Sequence, residues 1–476
     1  MRVAQNGRLE DPFRWPEVRP AVEFLMSMHS PPDPRLGRRD LAPFAAVSSP
    51  CFGRRDLAPF AAVSSPRREP RGISDRALSA SGSAAAAPTA SAWSDDLGAL
   101  FGQAAAGFRE SDPKFAAQCL AMYREYHVAG SGGDFAADLA AAELDGAAGL
   151  DPALWSSRTW PGFGAVLRSR FGTDRETMAV FRCGPSRGPD QMAFHFFGAG
   201  APLALAWHAG PQLNIEEDTL YNRMSVGDSE NMDAPAELLA MESTPAADVV
   251  VGQMQATMLR KLPRFPHEIT GATAYPRRVL VSETRWRRYL ALIKHTGGPL
   301  EDYLVIRDDL TSTEPEAFNL WVLARSVRQD GRRFYFDGQL AADAVAFVAS
   351  PDVDRVRVEQ WSWPRQDESS MIPQDFAEST WRTGELQQRL RIRGSPGEDY
   401  LVVLYPYRKG SPAPEFQTLA GGKGVRVTLG GVSEDVYLAA DPPAEAGGQA
   451  VVRRAGQTTV ILKSGALPPL GKAPAE

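Results

Sequence analysis

Hydrophobic and polar residues alternate with a period of two over most of the chain beyond residue 160. The alternating runs are short and are separated by Gly, Pro and Asp; among them are GAVLRSRF, QMAFHFF, RWRRYLALIKH, DYLVIRDDL, DYLVVLYPY and TTVILK. This period is typical of strands that turn one face to a core. Because helical interruptions are few, the pattern predicts a mainly β protein with a large antiparallel β-sandwich, and not a parallel α/β sheet.

A helical pattern precedes the strands. The run SDDLGALFGQAAAGF offers Ser94 as an N-cap, and SDPKFAAQCLAMYREYH offers Asp112 as an N-cap with Pro113 at the first helical position. A third segment, DFAADLAAAELDG, has the Ala-rich composition of a helix. We therefore expect residues 93–158 to form a short α-helical segment ahead of the sandwich.

The N-terminal region has a different composition. Residues 1–92 are rich in Pro, Arg, Ser and Ala, and the stretch GRRDLAPFAAVSSP occurs at 37–50 and again at 53–66. A solenoid needs about three or more stacked units, so this tandem copy predicts no repeat fold. We expect residues 1–92 to be disordered, the β-sandwich to occupy residues 159–466, and residues 467–476 to form a tail.

Charge and cysteine content restrict the classes of partner. A net charge of -6 gives no overall positive field, so we expect no nucleic acid partner. Cys51, Cys119 and Cys183 are far apart and odd in number, which indicates neither a disulfide framework nor a cysteine zinc site. No apolar run predicts a membrane span, and the first residues show no signal peptide, so the sequence assigns no location.

The segment RCGPSRGPDQMAFHFFGAGAPLALAWHAG resembles the start of the C-terminal domain of the heparinase II/III-like polysaccharide lyases. The residues that stand at the family's positions are Gly184, Pro185, Asp190, Phe194, Gly198, Pro202 and Leu203. LYNRMSVGDSENM resembles the family's His-Asn segment, and GPLEDYLVIRDDL resembles its strand ending in Arg-Asp. The resemblance covers about residues 93–465.

The resemblance implies β-elimination on acidic, uronate-containing polysaccharides or oligosaccharides, in which a base removes the proton beside the uronate carboxyl and an acid protonates the leaving oxygen. It also implies that the helical segment corresponds to the end of an α/α-toroid. Where family members have two His and one Asp as metal ligands, this chain has Gly188, Tyr221 and an Ala near 206. From these replacements we expect that the chain binds no metal and no cofactor and that it lacks the family's catalytic histidine.

The resemblance leaves Tyr221 and Asn222 as predicted catalytic residues, because a phenol beside Arg223 can have its pKa lowered and act as base or acid. Alternatively, Tyr221 stacks under a sugar or fills the core. The predicted substrate-binding residues are Asp190, His208, Arg223 and Arg287. His195 and His208 either line a sugar groove or are ordinary strand histidines.

The run YPRRVLVSETRWRRYL interleaves Arg with aromatic residues, as a groove for carboxylated or sulfated sugars would; alternatively, it is a solvated strand face. Arg307 with Asp308 and Asp309 is interpreted as a structural ion-pair turn. Two hypotheses follow: a degenerate polysaccharide lyase, and a non-catalytic, carbohydrate-binding accessory β-sandwich. They differ in whether the chain produces unsaturated uronate ends.

Overall fold

A computed structural model describes residues 3–5, 8–10, 16–29, 31, 92–126, 150–185, 188, 190–206, 218–227, 232, 234–261, 278–353, 356–362, 385–467 and 470. The helices are α1 (Val18–Ser27), α2 (Ala92–Phe108) and α3 (Pro113–Tyr126). The strands are β1 (Val3–Gln5), β2 (Arg8–Glu10), β3 (Arg158–Trp160), β4 (Gly164–Ser169), β5 (Thr177–Arg182), β6 (Phe194–Gly198), β7 (Ala201–Ala204), β8 (Met224–Val226), β9 (Ala236–Ser243), β10 (Ala247–Lys261), β11 (Arg278–Ile293), β12 (Tyr303–Thr311), β13 (Glu316–Asp330), β14 (Arg333–Gly338), β15 (Ala342–Ser350), β16 (Val356–Ser362), β17 (Leu386–Gly394), β18 (Tyr400–Arg408), β19 (Glu415–Leu419), β20 (Gly424–Leu429), β21 (Val432–Leu438), β22 (Gly448–Arg454) and β23 (Gln457–Lys463).

The chain forms two compact units, and the first contains the helices α2 and α3. The predicted cap of α3 is present, since Asp112 Oδ1 accepts a hydrogen bond from the Phe115 main-chain nitrogen at 3.0 Å. Helix α2 begins at Ala92, ahead of the predicted cap Ser94. Helix α1 lies in the region that the sequence analysis expected to be disordered, whereas residues 32–91 and the third Ala-rich segment lie outside the described residues.

The second unit contains β3 to β23 in three antiparallel sheets, which confirms the mainly β class. The largest has 11 strands in the order β16-β17-β13-β14-β15-β18-β12-β11-β10-β9, with β8 also paired to β13. We call it the central sheet. Strands β3 to β7 form a five-stranded sheet in sequence order, the first outer sheet, and β19 to β23 form another, the second outer sheet.

Each face of the central sheet contributes to its own hydrophobic core. One face packs its apolar side chains, such as Leu290, with Leu167 and Phe181 of the first outer sheet. The opposite face packs residues such as Ala291 with Val425 of the second outer sheet. Because both faces are covered, central strands such as β12 have long apolar runs instead of a strict alternation. The sandwich therefore has three layers.

Within the described residues, no helix is long and apolar enough to cross a membrane.

Candidate functional site

The predicted catalytic residues lie in a short segment that connects a 3₁₀ turn, Asp218–Leu220, to β8. Arg223 Nη1 contacts Asp218 Oδ1 at 3.0 Å, and neither side chain is exposed to solvent. The other oxygen of Asp218 accepts a hydrogen bond from the Met232 main-chain nitrogen at 2.7 Å. The buried Asp218–Arg223 ion pair thus links the 3₁₀ turn to the residue just before β8.

Asn222 joins two sheets through its side-chain amide. Its Nδ2 donates to the carbonyl of Phe194 in β6 at 3.0 Å, and its Oδ1 accepts from the Trp321 nitrogen in β13 at 2.7 Å. The residue is completely buried. Both ends of the amide are therefore engaged with main-chain groups, which fits a side chain that holds β6 against β13.

Two arginines lie against the indole ring of Trp286 in this core. The guanidinium carbons of Arg223 and Arg288 are 5.3 Å and 4.9 Å from the ring. Burial lowers the pKa of Arg223, and the carboxylates of Asp218 and Asp190 oppose that shift. The cation–π contacts and the ion pairs together replace the water that these charged groups lose on folding.

Asp190 lies near this cluster and contacts Arg182, whose Nε is 3.3 Å from Asp190 Oδ2. Burial raises the pKa of Asp190, while Arg182 and Arg223 counteract the shift. Tyr221 is also buried, with 5% of its surface exposed. The fold therefore brings Asp190, Asn222 and Arg223 into one buried region, with Tyr221 beside them in the chain.

Arg287 lies on the opposite face of the central sheet, because neighbouring residues of a strand point to opposite sides. Its Nε and Nη2 both donate to Gln253 Oε1, at 3.2 Å and 2.6 Å. It therefore does not join the cluster of Asn222 and Arg223. His208 lies outside the described residues, and His195 is buried in β6, where its Nε2 accepts from the Ala206 nitrogen at 3.1 Å.

An open cleft of about 650 Å³ lies between the β3–β4 turn and the β9–β10 edge of the central sheet. We call it the Trp160 cleft; it is lined by residues 159–162, 183–185, 235–238, 253 and 255. Arg182 supports its wall by donating to the carbonyls of Gly162 and Phe163 at 3.4 Å and 3.3 Å. The guanidinium of Arg158 lies over the Trp160 ring at 5.5 Å.

Gln253 connects the cleft to Arg287. An arginine side chain has only donors, so the oxygen of the Gln253 amide faces Arg287 and the NH2 group points elsewhere. The Gln253 side chain is half-buried and lines the cleft together with the exposed Gln255 and Glu237. The arrangement offers amide donors, a carboxylate and an indole ring, which is the chemistry that a sugar needs for hydrogen bonding and stacking.

Sequence reasoning missed the buried pair of Arg288 and Asp308. Arg288 Nε and Nη2 donate to the two oxygens of Asp308, each at 2.7 Å, and both side chains have no exposed surface. The ion-pair interpretation of Arg307 is correct for Asp309, whose Oδ1 is 2.6 Å from Arg307 Nε. It is wrong for Asp308, which pairs with Arg288, and all three residues lie in strand β12 and not in a turn. The available signal was the cross-strand register, in which Arg288 faces Asp308 and Arg287 faces Asp309.

Among the residues that the structure describes, no group of three or more His, Cys, Asp or Glu side chains is arranged to hold a metal ion. Cys183 and Cys119 are buried free thiols, and burial raises the pKa of Cys183 to about 12.

No family model and no curated protein matches this sequence. Among solved structures, the chain is similar to the heparan sulfate lyase HepC from Pedobacter heparinus, with 12% identity and a TM-score of 0.45 over 77% of this chain and 48% of HepC. It is also similar to two structures of heparinase III, each at 12% identity over 71% of this chain; they have TM-scores of 0.44 and 0.45 and are covered over 47% and 48% of their lengths. The chain thus spans about half the length of these structures.

Proposed function

We propose that this chain binds acidic glycans through its β-sandwich and does not cleave them by β-elimination. The observation that carries the proposal is the Trp160 cleft, in which Arg287 donates to the Gln253 side-chain oxygen and so fixes the orientation of the Gln253 amide. A pre-oriented amide binds a sugar hydroxyl or carboxylate without first losing rotational freedom. Arg287, a predicted substrate-binding residue, then acts by positioning Gln253.

The absence of turnover is inferred from burial of the predicted catalytic residues. Asn222 and Arg223 have no exposed surface, and Tyr221 has 5%. A base or acid must come within hydrogen-bond reach of the sugar on which it acts. These three side chains could do so only if the core between β6 and β13 opened, which would break both hydrogen bonds of the Asn222 amide.

The acidic character of the ligand is inferred from the resemblance of the sequence to heparinase II/III-like lyases. Glu237 in the cleft is exposed and would repel a uronate carboxylate, so it provides a direct test of that character. We expect Glu237→Gln to tighten binding of alginate oligosaccharides about threefold and to leave binding of uncharged oligosaccharides unchanged. A variant that weakens alginate binding would contradict the proposal.

Binding is tested by isothermal titration of the full chain with alginate, heparin, heparan sulfate and hyaluronan oligosaccharides. Trp160→Ala is expected to lower affinity up to about tenfold, whereas Trp160→Phe, which keeps an aromatic ring, should retain most of it. Gln253→Glu keeps the size of the side chain but places a carboxylate in the cleft, so acidic ligands should bind more weakly. Unchanged affinity in Trp160→Ala and Gln253→Glu would exclude this cleft as the site.

Turnover is tested by ultraviolet absorbance while the chain is incubated with the same glycans. We expect no rise, because a lyase leaves unsaturated uronate ends that absorb and the predicted acid and base are buried. A rise that disappears in Tyr221→Phe would show a working lyase and would overturn the second part of the proposal.

A further inference from the structure

Four arginines are concentrated at the β16–β17 edge of the central sheet. Residues at alternate positions of a strand share a face, so Arg389, Arg391 and Arg393 of β17 point to the same side. Arg357 of β16 is paired directly with Arg391 and belongs to that side as well. We call these four residues the arginine patch.

The patch has much more positive than negative charge. In the described part of the ladders, the residues paired with its arginines include one acid, Glu359, opposite Arg389. Glu359 forms an ion pair with Arg389 and lies 4.0 Å from Arg357. On the other side, Arg391 is paired with Asn319, which is neutral. Among the cross-strand neighbours that the structure describes, Glu359 is thus the one carboxylate on this face.

Arg391 stands at the centre of this arrangement. Its Nε is buried and has no hydrogen-bond partner. Burial, with the charges of Arg389 and Arg393, lowers the pKa of Arg391 to about 10. Like charges directly opposite each other on a sheet destabilise it, so the free protein carries a repulsion that a bound anion would relieve.

The spacing of the arginines suits an anion that repeats along a polymer. Alternate residues of a strand are about 7 Å apart, so the three arginines of β17 form a row of evenly spaced cations. Guanidinium groups make forked hydrogen bonds with carboxylate and sulfate. Arg393 and Arg357 are exposed, with 67% of the Arg357 side chain open to solvent, so a polymer can reach these two arginines from outside, whereas Arg389 is buried.

We propose that the arginine patch binds the sulfate or carboxylate groups of an acidic polysaccharide. The proposal rests on the proposed function for the nature of the polymer, but it names a second site: β16 and β9 are the opposite ends of the central sheet. A nucleic acid is the less suitable polyanion. The net charge is -6, and Trp321, whose ring lies under Arg389, is fully buried and cannot stack on bases.

The decisive variant is Arg357→Gln/Arg393→Gln, because both side chains are exposed and their removal should not affect folding. The matched control is Arg325→Gln/Arg328→Gln, which removes the same charge from two exposed positions of the neighbouring strand β13. Affinities of the full chain for heparin, alginate and single-stranded DNA are measured at several salt concentrations. We expect the patch variant to bind heparin or alginate at least about tenfold more weakly, with a shallower salt dependence, and the control to change about twofold or less.

Several results would overturn the proposal. Equal losses in the patch variant and the control would mean that only the total charge matters. Intact polysaccharide binding in the patch variant, together with a loss in Trp160→Ala, would reject the patch and leave the proposed function standing. Binding of DNA without binding of either polysaccharide would reject both the proposed function and the glycan as the ligand of the patch.

Discussion

Replacing Arg288 with Met tests whether a buried ion pair holds the first outer sheet against the central sheet. Arg288 Nη1 donates to the carbonyls of Met192 and Asn222 at 2.6 Å and 2.7 Å, and its other nitrogens bind Asp308. Methionine keeps the apolar stem but removes every one of these donors. Asp308 would remain in the core with the Trp286 indole nitrogen, at 2.7 Å, as its remaining side-chain donor from this cluster.

The size of the effect follows from these contacts. Removing one partner of a buried ion pair costs about 3–5 kcal/mol, because the other charge stays buried without compensation. The two carbonyls that lose a donor add about 1 kcal/mol each if water cannot replace it. We therefore expect the free energy of unfolding to fall by about 3–7 kcal/mol in Arg288→Met.

The matched control is Arg426→Met. Arg426 and Asp435 are also paired directly across two strands and also form two bonds, at 2.6 Å and 2.9 Å, but 44% of the Arg426 side chain is exposed. Exposed pairs of this kind contribute about 0–1 kcal/mol. The control therefore shows how much of the loss exceeds what an exposed pair with the same two bonds contributes; Arg288 also loses its two bonds to main-chain carbonyls.

Urea denaturation, followed by tryptophan fluorescence and circular dichroism, measures the unfolding midpoint of each variant. The double variant Arg288→Met/Asp308→Leu should recover part of the lost stability, because it leaves no unpaired charge in the core. If Arg288→Met costs no more than Arg426→Met, or if the double variant is no more stable than Arg288→Met, the reasoning is refuted.

Three further predictions concern other parts of the molecule. Burial raises the pKa of Glu316 from 4.5 to about 8, so between these pH values the folded state binds a proton that the unfolded state has lost. The free energy of unfolding should therefore fall as pH rises through this range, and urea midpoints of Glu316→Gln should fall less. Gly252→Ala should lower stability by about 1–3 kcal/mol in thermal melts, because the new methyl group would lie 2.8 Å from Cys183 Sγ and 2.8 Å from Met192 Sδ. Protein purified without chelator should contain no stoichiometric zinc by elemental analysis; zinc that is lost in His208→Ala would contradict this expectation.

The strands that the sequence predicts well are those with β-branched and aromatic residues at regular positions, such as β12 and β18. The alternating pattern is weak in strands β9 and β15, for a different local reason in each. The sequence of β9, AELLAMES, has its apolar residues at helical spacing, and β15, ADAVAFVAS, is rich in alanine, which is depleted in strands. Their pairing with β10, and with β14 and β18, outweighs these local preferences.

The site could be predicted only in part. The sequence resemblance identified the segment around Tyr221, which the fold does assemble with Asp190. The resemblance could not indicate that the Asn222 side-chain amide forms hydrogen bonds with the main chain of Phe194 and Trp321, because those partners are 28 and 99 residues away in the chain. The Trp160 cleft could not be predicted from the sequence either, since it depends on how the β3–β4 turn lies against β9.

The spacing of arginines along a strand separates structural from binding positions in this fold. Arg287 and Arg288 are adjacent, so they point to opposite faces of a sheet that is covered on both sides. Each is buried and each has an acceptor of its own, Gln253 for Arg287 and Asp308 for Arg288. Two adjacent arginines in a central strand therefore indicate two buried contacts, one on each face of the sheet. The sequence alone suggested a sugar-binding groove or a solvated strand face for these residues.

The arginines of β17 show the opposite pattern. Arg389, Arg391 and Arg393 alternate with Leu390 and Ile392, which lie in the core. All three arginines consequently share one face, where Glu359 is paired with Arg389 and the Nε of Arg391 has no partner. A fold has no structural need to collect like charges in this way, because the repulsion lowers stability. The alternating arginines of β17, next to the edge strand β16, and not the tandem arginines of the central strand β11, are therefore where an anionic ligand is expected.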